Sequence, residues 1–190
     1  GGGGGPVQGP KVLPGVYQIQ IESGETTMLG DLVVRQDPRI EVSRPDLAAR
    51  QAAIMSAYDL EGTVYGASQA VLRLRDQLGD VDDLLGDADS PPEALGEEVA
   101  AIREELGDIS DELDRLSVRR TRSAMEGSTT LPTEDQLQLV DKAWDKTPAL
   151  ITQLNAVISN RMPALNRSLD DAHIRADAGE LVEIPTRGGR

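Results

Sequence analysis

The sequence predicts an α+β protein in which a small antiparallel β unit precedes an elongated antiparallel three-helix bundle. Three observations carry this. Tyr17, Ile19 and Ile21 alternate with Gln18 and Gln20, the period of a strand. Leu95, Val99, Ile102, Leu106, Ile109, Leu113 and Leu116 recur at spacings of four and three on a segment otherwise built of polar residues, which marks a helix that lies against other helices. Two flanking stretches carry the same helical period. The chain divides into a Gly/Pro-rich linker (1–11), the β unit (12–42), the bundle (43–170) and a polar tail (171–190).

The chain opens Gly1-Gly2-Gly3-Gly4-Gly5-Pro6 without Met. Such sequence is flexible linker, and the expectation is a C-terminal piece of something longer. Leu13-Pro14-Gly15 then leads into the alternating run, expected as a half-buried strand. Glu22-Ser23-Gly24-Glu25 is turn chemistry, Thr26 to Leu29 reads as a return strand, and Leu32-Val33-Val34 as a third before Asp37-Pro38-Arg39 stops it. Two or three strands with so little apolar surface are marginal alone. They are expected either to complete a sandwich of immunoglobulin-like type with upstream strands, or to pack on the helices.

Ser43, with Pro45 and Asp46 just inside, reads as the N-cap of a helix over about 45–79. Leu47, Ile54, Tyr58, Tyr65 and Leu72 lie on or near one face, with Val71, Leu74 and Leu78 alongside. Gly62 and Gly66 in its middle suggest close helix contact or a bend. Residues 80–89 form an acidic connector that continues the helix if Val81, Leu84 and Leu85 are used. Ser90-Pro91-Pro92-Glu93 reads as a capping box opening the seam helix over about 91–122. Arg115, Arg119, Arg120 and Arg122 crowd its end with the sign that complements the helix dipole, a basic binding patch being the rival reading. Thr133-Glu134-Asp135-Gln136 is a second capping box. It opens a helix over about 133–162 carrying Leu137, Val140, Trp144, Ile151, Leu154, Ile158, Met162 and Leu165, with Pro148 expected to bend it and Pro163 to end or kink it. Leu181-Val182-Glu183-Ile184 reads as a short final strand or an extended tail.

Phe is absent and aromatics are 2% of residues, so the interior must be aliphatic. The net charge of −14 is carried by residues 76–114, where fifteen acids face Arg103 alone. A surface of this sign repels phosphate backbones and anionic lipid, against nucleic-acid or membrane-surface binding. It is expected as a solvated helix face. No stretch approaches the ~20 apolar residues of a membrane span. The chain has no Cys, which removes disulfides, thiolate metal sites and a thiol nucleophile.

Nothing in the sequence assembles a reaction centre. Catalytic carboxyls need a cleft and a desolvated partner, which heptad-flanking acids lack. Asp80-Val81-Asp82-Asp83-Leu84-Leu85-Gly86 has Leu84 and Leu85 where a calcium loop needs an oxygen ligand and a glycine. Asp87, Asp89 and Glu93 are interrupted by Pro91 and Pro92. His173 is the single imidazole and sits in polar sequence, expected exposed. Trp144 shares a stripe with Val140 and Ile151 and is expected in the core or capping a groove. No catalytic, cofactor-binding or metal-ligating residue is assigned, and no cofactor.

Leu13-Pro14-Gly15-Val16-Tyr17-Gln18-Ile19, the turn at Gly24, Leu32-Val33-Val34 and Asp37-Pro38-Arg39 together resemble the C-terminal region of bacterial sortilin-like proteins. These are secreted polypeptides with BNR (Asp-box) repeat β-propellers, often labelled glycosyl hydrolase or sialidase-like. The stretch from Trp144 to Pro163-Ala164-Leu165-Asn166 is similar to that family's last helix. The likeness covers residues 10–170, and its distinctive elements are Pro-Gly-x-Tyr and Asp-Pro-Arg. No Asp-box repeat lies in this chain, so no catalytic residue is carried over. The resemblance implies a non-catalytic accessory or interaction module, extracellular or periplasmic, whose partner is an upstream domain of the same polypeptide or another protein. The alternative is a scaffold subunit self-associating through its seam helix.

Overall fold

Gly24 takes a φ of +59°, and around it the chain reverses into a hairpin of β1 (Gly15–Ser23) and β2 (Thr26–Val34). Gly24-Glu25 is a two-residue connection with positive φ at its first position, where a type II′ turn takes glycine. The computed structural model describes residues 9–39, 41–88 and 90–174. The register is continuous from Ser23↔Thr26 to Gly15↔Val34. The expected second and third strands are therefore one strand: Gly30-Asp31 stays extended opposite Ile19 and Gln18, and Leu32-Val33-Val34 pairs with Tyr17, Val16 and Gly15. At the open end the Tyr17 hydroxyl donates to the Leu13 carbonyl at 2.6 Å.

Ser43 caps α1 (Arg44–Asp87) as expected, its hydroxyl oxygen accepting the Asp46 amide at 3.2 Å. The helix does not stop near Gly79. It runs through the acidic connector because Val81 and Leu85 prolong the buried stripe of Val71, Leu74 and Leu78. Its 44 residues span about 66 Å. Leu72, one position off that stripe, is exposed rather than inward. A Cβ added at Gly62 or Gly66 would meet no atom within 4 Å, so neither glycine serves a close helix contact.

The seam helix α2 (Glu93–Leu116) buries all seven seam residues. Its N-cap is Pro92, which has no side-chain acceptor, rather than the expected Ser90. The helix expected to reach residue 122 breaks at Ser117, a left-handed residue with φ 52°, and α3 (Val118–Gly127) follows. Phase explains the break. Continuing the four-three pattern past Leu116 would turn Arg120 and Ser123 inward, whereas one left-handed residue brings Val118, Thr121, Arg122 and Met125 to the core. The C-terminal carbonyls of α3 are taken up by Arg50, whose guanidinium donates to Met125 at 2.9 Å, to Glu126 at 3.1 Å and to Ser128.

The Thr133/Gln136 capping box of α4 (Glu134–Ala156) forms, with bonds of 3.2 and 2.9 Å. Pro148 lies inside this helix without ending it, since Leu150, Ile151 and Leu154 beyond it are buried in the core. Pro163 does not end the arm either. A π-helical turn (Val157–Arg161) widens the backbone just before it, Met162 donating to the Val157 carbonyl five residues back, and α5 (Met162–Asp171) carries on. A proline has no amide for the carbonyl four residues before it, and the widened turn accommodates that mismatch. His173, at φ 62°, closes α5: its amide donates to Asp170 at 2.9 Å and that of Ile174 to Leu169 at 2.7 Å, a Schellman cap.

Ion pairs fix the directions. Arg122 meets Glu61 and Arg103 meets Asp82, while Lys146 meets Glu112 and Arg161 meets Glu105. In each set one number rises as the other falls, so α1, α2–α3 and α4–α5 are antiparallel arms. The core is aliphatic, with Leu60, Leu74, Leu78, Ile102, Leu106, Ile151, Leu154 and Leu165 fully buried. Trp144 is in it, its indole N–H donating to the Ser56 carbonyl at 3.1 Å and hydroxyl at 3.0 Å. Leu137, expected on the same face, is exposed. Residues 1–8 of the linker, 175–190 of the tail and the 181–184 strand expectation lie outside the described residues.

Candidate functional site

The period of two puts the hairpin's side chains into two unlike sets. Tyr17, Ile19 and Ile21 share a face with Met28, Leu32 and Val34, the cross-strand neighbours being Tyr17↔Leu32 and Ile21↔Met28. Gly15, Ser23, Thr26 and Gly30 complete that face, and no Asp, Glu, Lys, Arg or His lies on it. The opposite face carries Gln18, Gln20, Glu22, Thr27 and Asp31, with Val16, Leu29 and Val33. The first face is the pattern of a sheet packed on a core, the second that of a sheet facing water.

Among the described residues no core covers the first face. Ile19 is 41% exposed, Leu32 46%, Ile21 55% and Met28 60%. The half-buried strand expected of Tyr17, Ile19 and Ile21 is realised only at Tyr17, which is partly buried. Among the described residues no helix is laid along the hairpin; it approaches the bundle at its base, where Leu13, Pro14 and Gln36 border a crevice with Arg44 and Leu47. Burying such a side chain is worth about 1.5–3 kcal/mol, a gain these four leave unrealised. Among the described residues no third strand pairs with either outer edge, and the strands' charged residues are Glu22 and Asp31, with no Pro or Lys.

The basic cluster has a different role from the one its position in the sequence suggests. Only Arg115 lies in the last turn of α2, beside Asp111 and Glu112. Arg119, Arg120 and Arg122 belong to α3, so they do not complement the dipole of the seam helix. Arg122 is buried between Glu61 at 2.5 Å and Glu126 at 2.8 Å, with Tyr58 under its guanidinium at 5.9 Å, and Arg119 adds a longer contact to Glu61 at 3.7 Å. The Glu61 hydrogen bond holds the Arg122 guanidinium above its ordinary range against the opposing effect of burial. Beside this network, Val64, Tyr65, Leu113, Ser117 and Arg120 border an open groove of about 540 Å³. Glu61, Asp114, Arg119 and Arg120 also line it, so the lining carries both signs.

The acidic residues of 76–114 are not gathered. Among the described residues no three His, Cys, Asp or Glu side chains are placed to hold one metal ion, and Asp82, Glu105 and Glu112 are engaged with Arg103, Arg161 and Lys146. His173 is exposed at the α5 cap. Among the described residues no helix is long and apolar enough to cross a membrane. Sequence reasoning found the apolar side of β1 but not its mates; the signal was the period-two set Met28, Gly30, Leu32 and Val34, which the expected break near Gly30 concealed.

Compared with models of protein families, with curated proteins and with solved structures, the chain matches none.

Proposed function

We propose that this chain is a non-catalytic interaction module, in which the hairpin is the docking element and the bundle a spacer of roughly 66 Å that holds it. The observation that carries the reading is the uncovered, uncharged face of Ile19, Ile21, Met28 and Leu32 on a hairpin too small to be stable by itself. The Pro-Gly-x-Tyr and Asp-Pro-Arg elements support a finer version: an accessory module of a secreted or periplasmic sortilin-like BNR-repeat protein, in which any glycoside chemistry belongs to other domains. Self-association through the seam is disfavoured, because all seven seam residues are buried within the chain.

The test has two arms. An apolar-surface dye should bind the chain, and Ile21→Lys with Met28→Lys should abolish most of that binding without moving the melting temperature of the bundle. Assayed with aryl glycosides and sialosides, the chain should show no turnover. Dye binding indifferent to the double substitution, or turnover lost to one carboxylate substitution, contradicts the proposal.

A further inference from the structure

Granting that the hairpin docks, something must cover its apolar face, and the chain's own ends come first. Residues 175–190 bring Leu181, Val182 and Ile184, but they start from the wrong end of the rod. Arms α1 and α4–α5 run in the same direction and Trp144 lies beside Ser56, so Ile174 is level with about residue 86 of α1. That is roughly 60 Å from Arg44 at the hairpin's base. The ten residues from Ile174 to Ile184 reach at most about 36 Å, which leaves Ile184 roughly 24 Å short of that base. Beyond it, Pro185-Thr186-Arg187-Gly188-Gly189-Arg190 has no large apolar side chain. Residues 1–8 adjoin the hairpin but offer only Pro6 and Val7. No segment of residues 1–190 therefore both reaches the face and can cover it.

The face is complementary to itself. Ile19 and Gly30 are the middle pair of the two nine-residue strands, and they are opposites in shape. Ile19 projects, 41% exposed, while a Cβ added at Gly30 would meet no atom within 4 Å. Turned over about a two-fold axis along the hairpin's length, a second hairpin lays its β1 above this β2. Each Ile19 then falls over the other copy's Gly30, Tyr17 over Leu32, Ile21 over Met28 and Val34 over Gly15, at the ~10 Å spacing of stacked sheets. A two-fold axis across the strands would set Ile19 on Ile19 instead. The acidic run begins at Asp76, about 48 Å along α1 from Arg44, so it lies several Debye lengths from the contact. We infer that two copies of this chain meet on this face, their hairpins stacked about that two-fold with each Ile19 seated over the other copy's Gly30. Nine residues extend about 30 Å and two strands cover about 10 Å, so each copy offers a footprint on the order of 300 Å². About 600 Å² in all is well below the roughly 1,200 Å² of a stable complex, so the dimer is weak and exchanges with monomer.

Sedimentation equilibrium of the whole chain from about 1 μM to about 1 mM reads the association. The mass should rise from the 20.3 kDa of the monomer toward twice that at the upper end. Met28→Lys should abolish the rise, whereas Gln20→Lys, on the opposite face, should leave the dissociation constant within about threefold. Gly30→Ile should weaken association by about tenfold or more although it adds apolar surface, because it fills the space Ile19 needs. Ile19→Gly combined with Gly30→Ile exchanges knob and notch and should restore association to within about threefold. Amide NMR shifts check that each variant keeps the hairpin; if the combined variant loses it, Gly30→Ile alone decides. A rise that survives Met28→Lys, or that strengthens with Gly30→Ile, overturns the stacking. A rise lost when Leu181→Ser, Val182→Ser and Ile184→Ser are made together assigns the face to the other copy's tail and overturns it too. A monomer throughout overturns the second copy: if an apolar-surface dye still reports Ile21 and Met28, docking on another partner stands, and if it does not, both readings fall.

Discussion

The hairpin and the seam helix carry comparable apolar stripes and meet opposite fates. In α2 the stripe from Leu95 to Leu116 is closed by α1 and the α4–α5 arm, and Ile102 and Leu106 have no exposed surface. On the hairpin the stripe of Tyr17, Ile19, Ile21, Met28, Leu32 and Val34 is as regular, yet Ile21 and Met28 are more than half exposed. Amphipathic periodicity specifies which side of an element wants cover. Whether cover exists depends on what else the chain supplies. Among the described residues the bundle's stripes close on one another, and the hairpin's apolar face closes on nothing.

The sharpest way to break this contrast is to place the same charge in both stripes. Ile109→Asp should unfold the bundle, because burying an unpaired carboxylate costs several kcal/mol against a typical total stability of about 5–15 kcal/mol. Ile19→Asp should change the bundle's stability by less than about 0.5 kcal/mol. Thermal unfolding followed by helical circular dichroism compares them directly, and equal losses would erase the distinction.

Next in size is the buried ion network that holds α3 against α1. Arg122→Met leaves the buried Glu61 with only the longer Arg119 contact and should cost about 3–5 kcal/mol in urea unfolding. Adding Glu61→Met should restore much of it, since the most deeply buried carboxylate is then gone and only the partly buried Glu126 has lost its partner. A double variant as unstable as the single would mean that the loss is packing rather than charge.

Backbone effects are smaller and of opposite sign. Ser117 holds a left-handed conformation that costs a non-glycine residue roughly 1–2 kcal/mol, so Ser117→Gly should stabilise the bundle by about 1 kcal/mol. Gly62→Ala should raise stability by about 0.5–1 kcal/mol, because an exposed helical glycine with open space around its Cα gains helix propensity and loses nothing. Destabilisation by either would show that the corner, or the middle of α1, has another geometry.

The smallest effect is one of pH. Glu112 accepts from Lys146 at 2.9 Å and from Arg115, and these bonds hold its carboxyl below the ordinary 4.5. A carboxylate depressed in the folded state adds stability that is fully present above that ordinary value and is lost as pH falls through the depressed one. Glu112→Gln should therefore flatten a shallow decline in stability below about pH 4.5 and leave neutral stability nearly unchanged.

Much of this was legible because helix capping and helical period are local. Ser43 and Thr133 cap as their neighbours predict, and the seam closes as its spacing predicts. The break at Ser117 was written in the sequence as a change of phase, Arg120 and Ser123 falling where apolar residues were due, but arginines after an apolar run look like a helix end. Pro163 marks where the third arm is disturbed, yet a proline does not say whether a helix stops or widens into a π turn and resumes. Leu165 and Leu169, which keep the four-three pattern after Met162, carried that information. Of the candidate docking face, the alternation of β1 was readable and its exposure was not. Exposure is a relation between the hairpin and everything that might lie on it, and no local pattern encodes it.

The account turns on a closed seam and an open hairpin within one chain, and residue-resolved amide hydrogen exchange of this chain alone tests that most directly. The Ile109 amide should open only with global unfolding, whereas amides along the Ile19 to Ile21 stretch should open at a free energy several kcal/mol lower. Hairpin amides as protected as Ile109 would mean that the face is already covered, and the proposed docking role would fall with it.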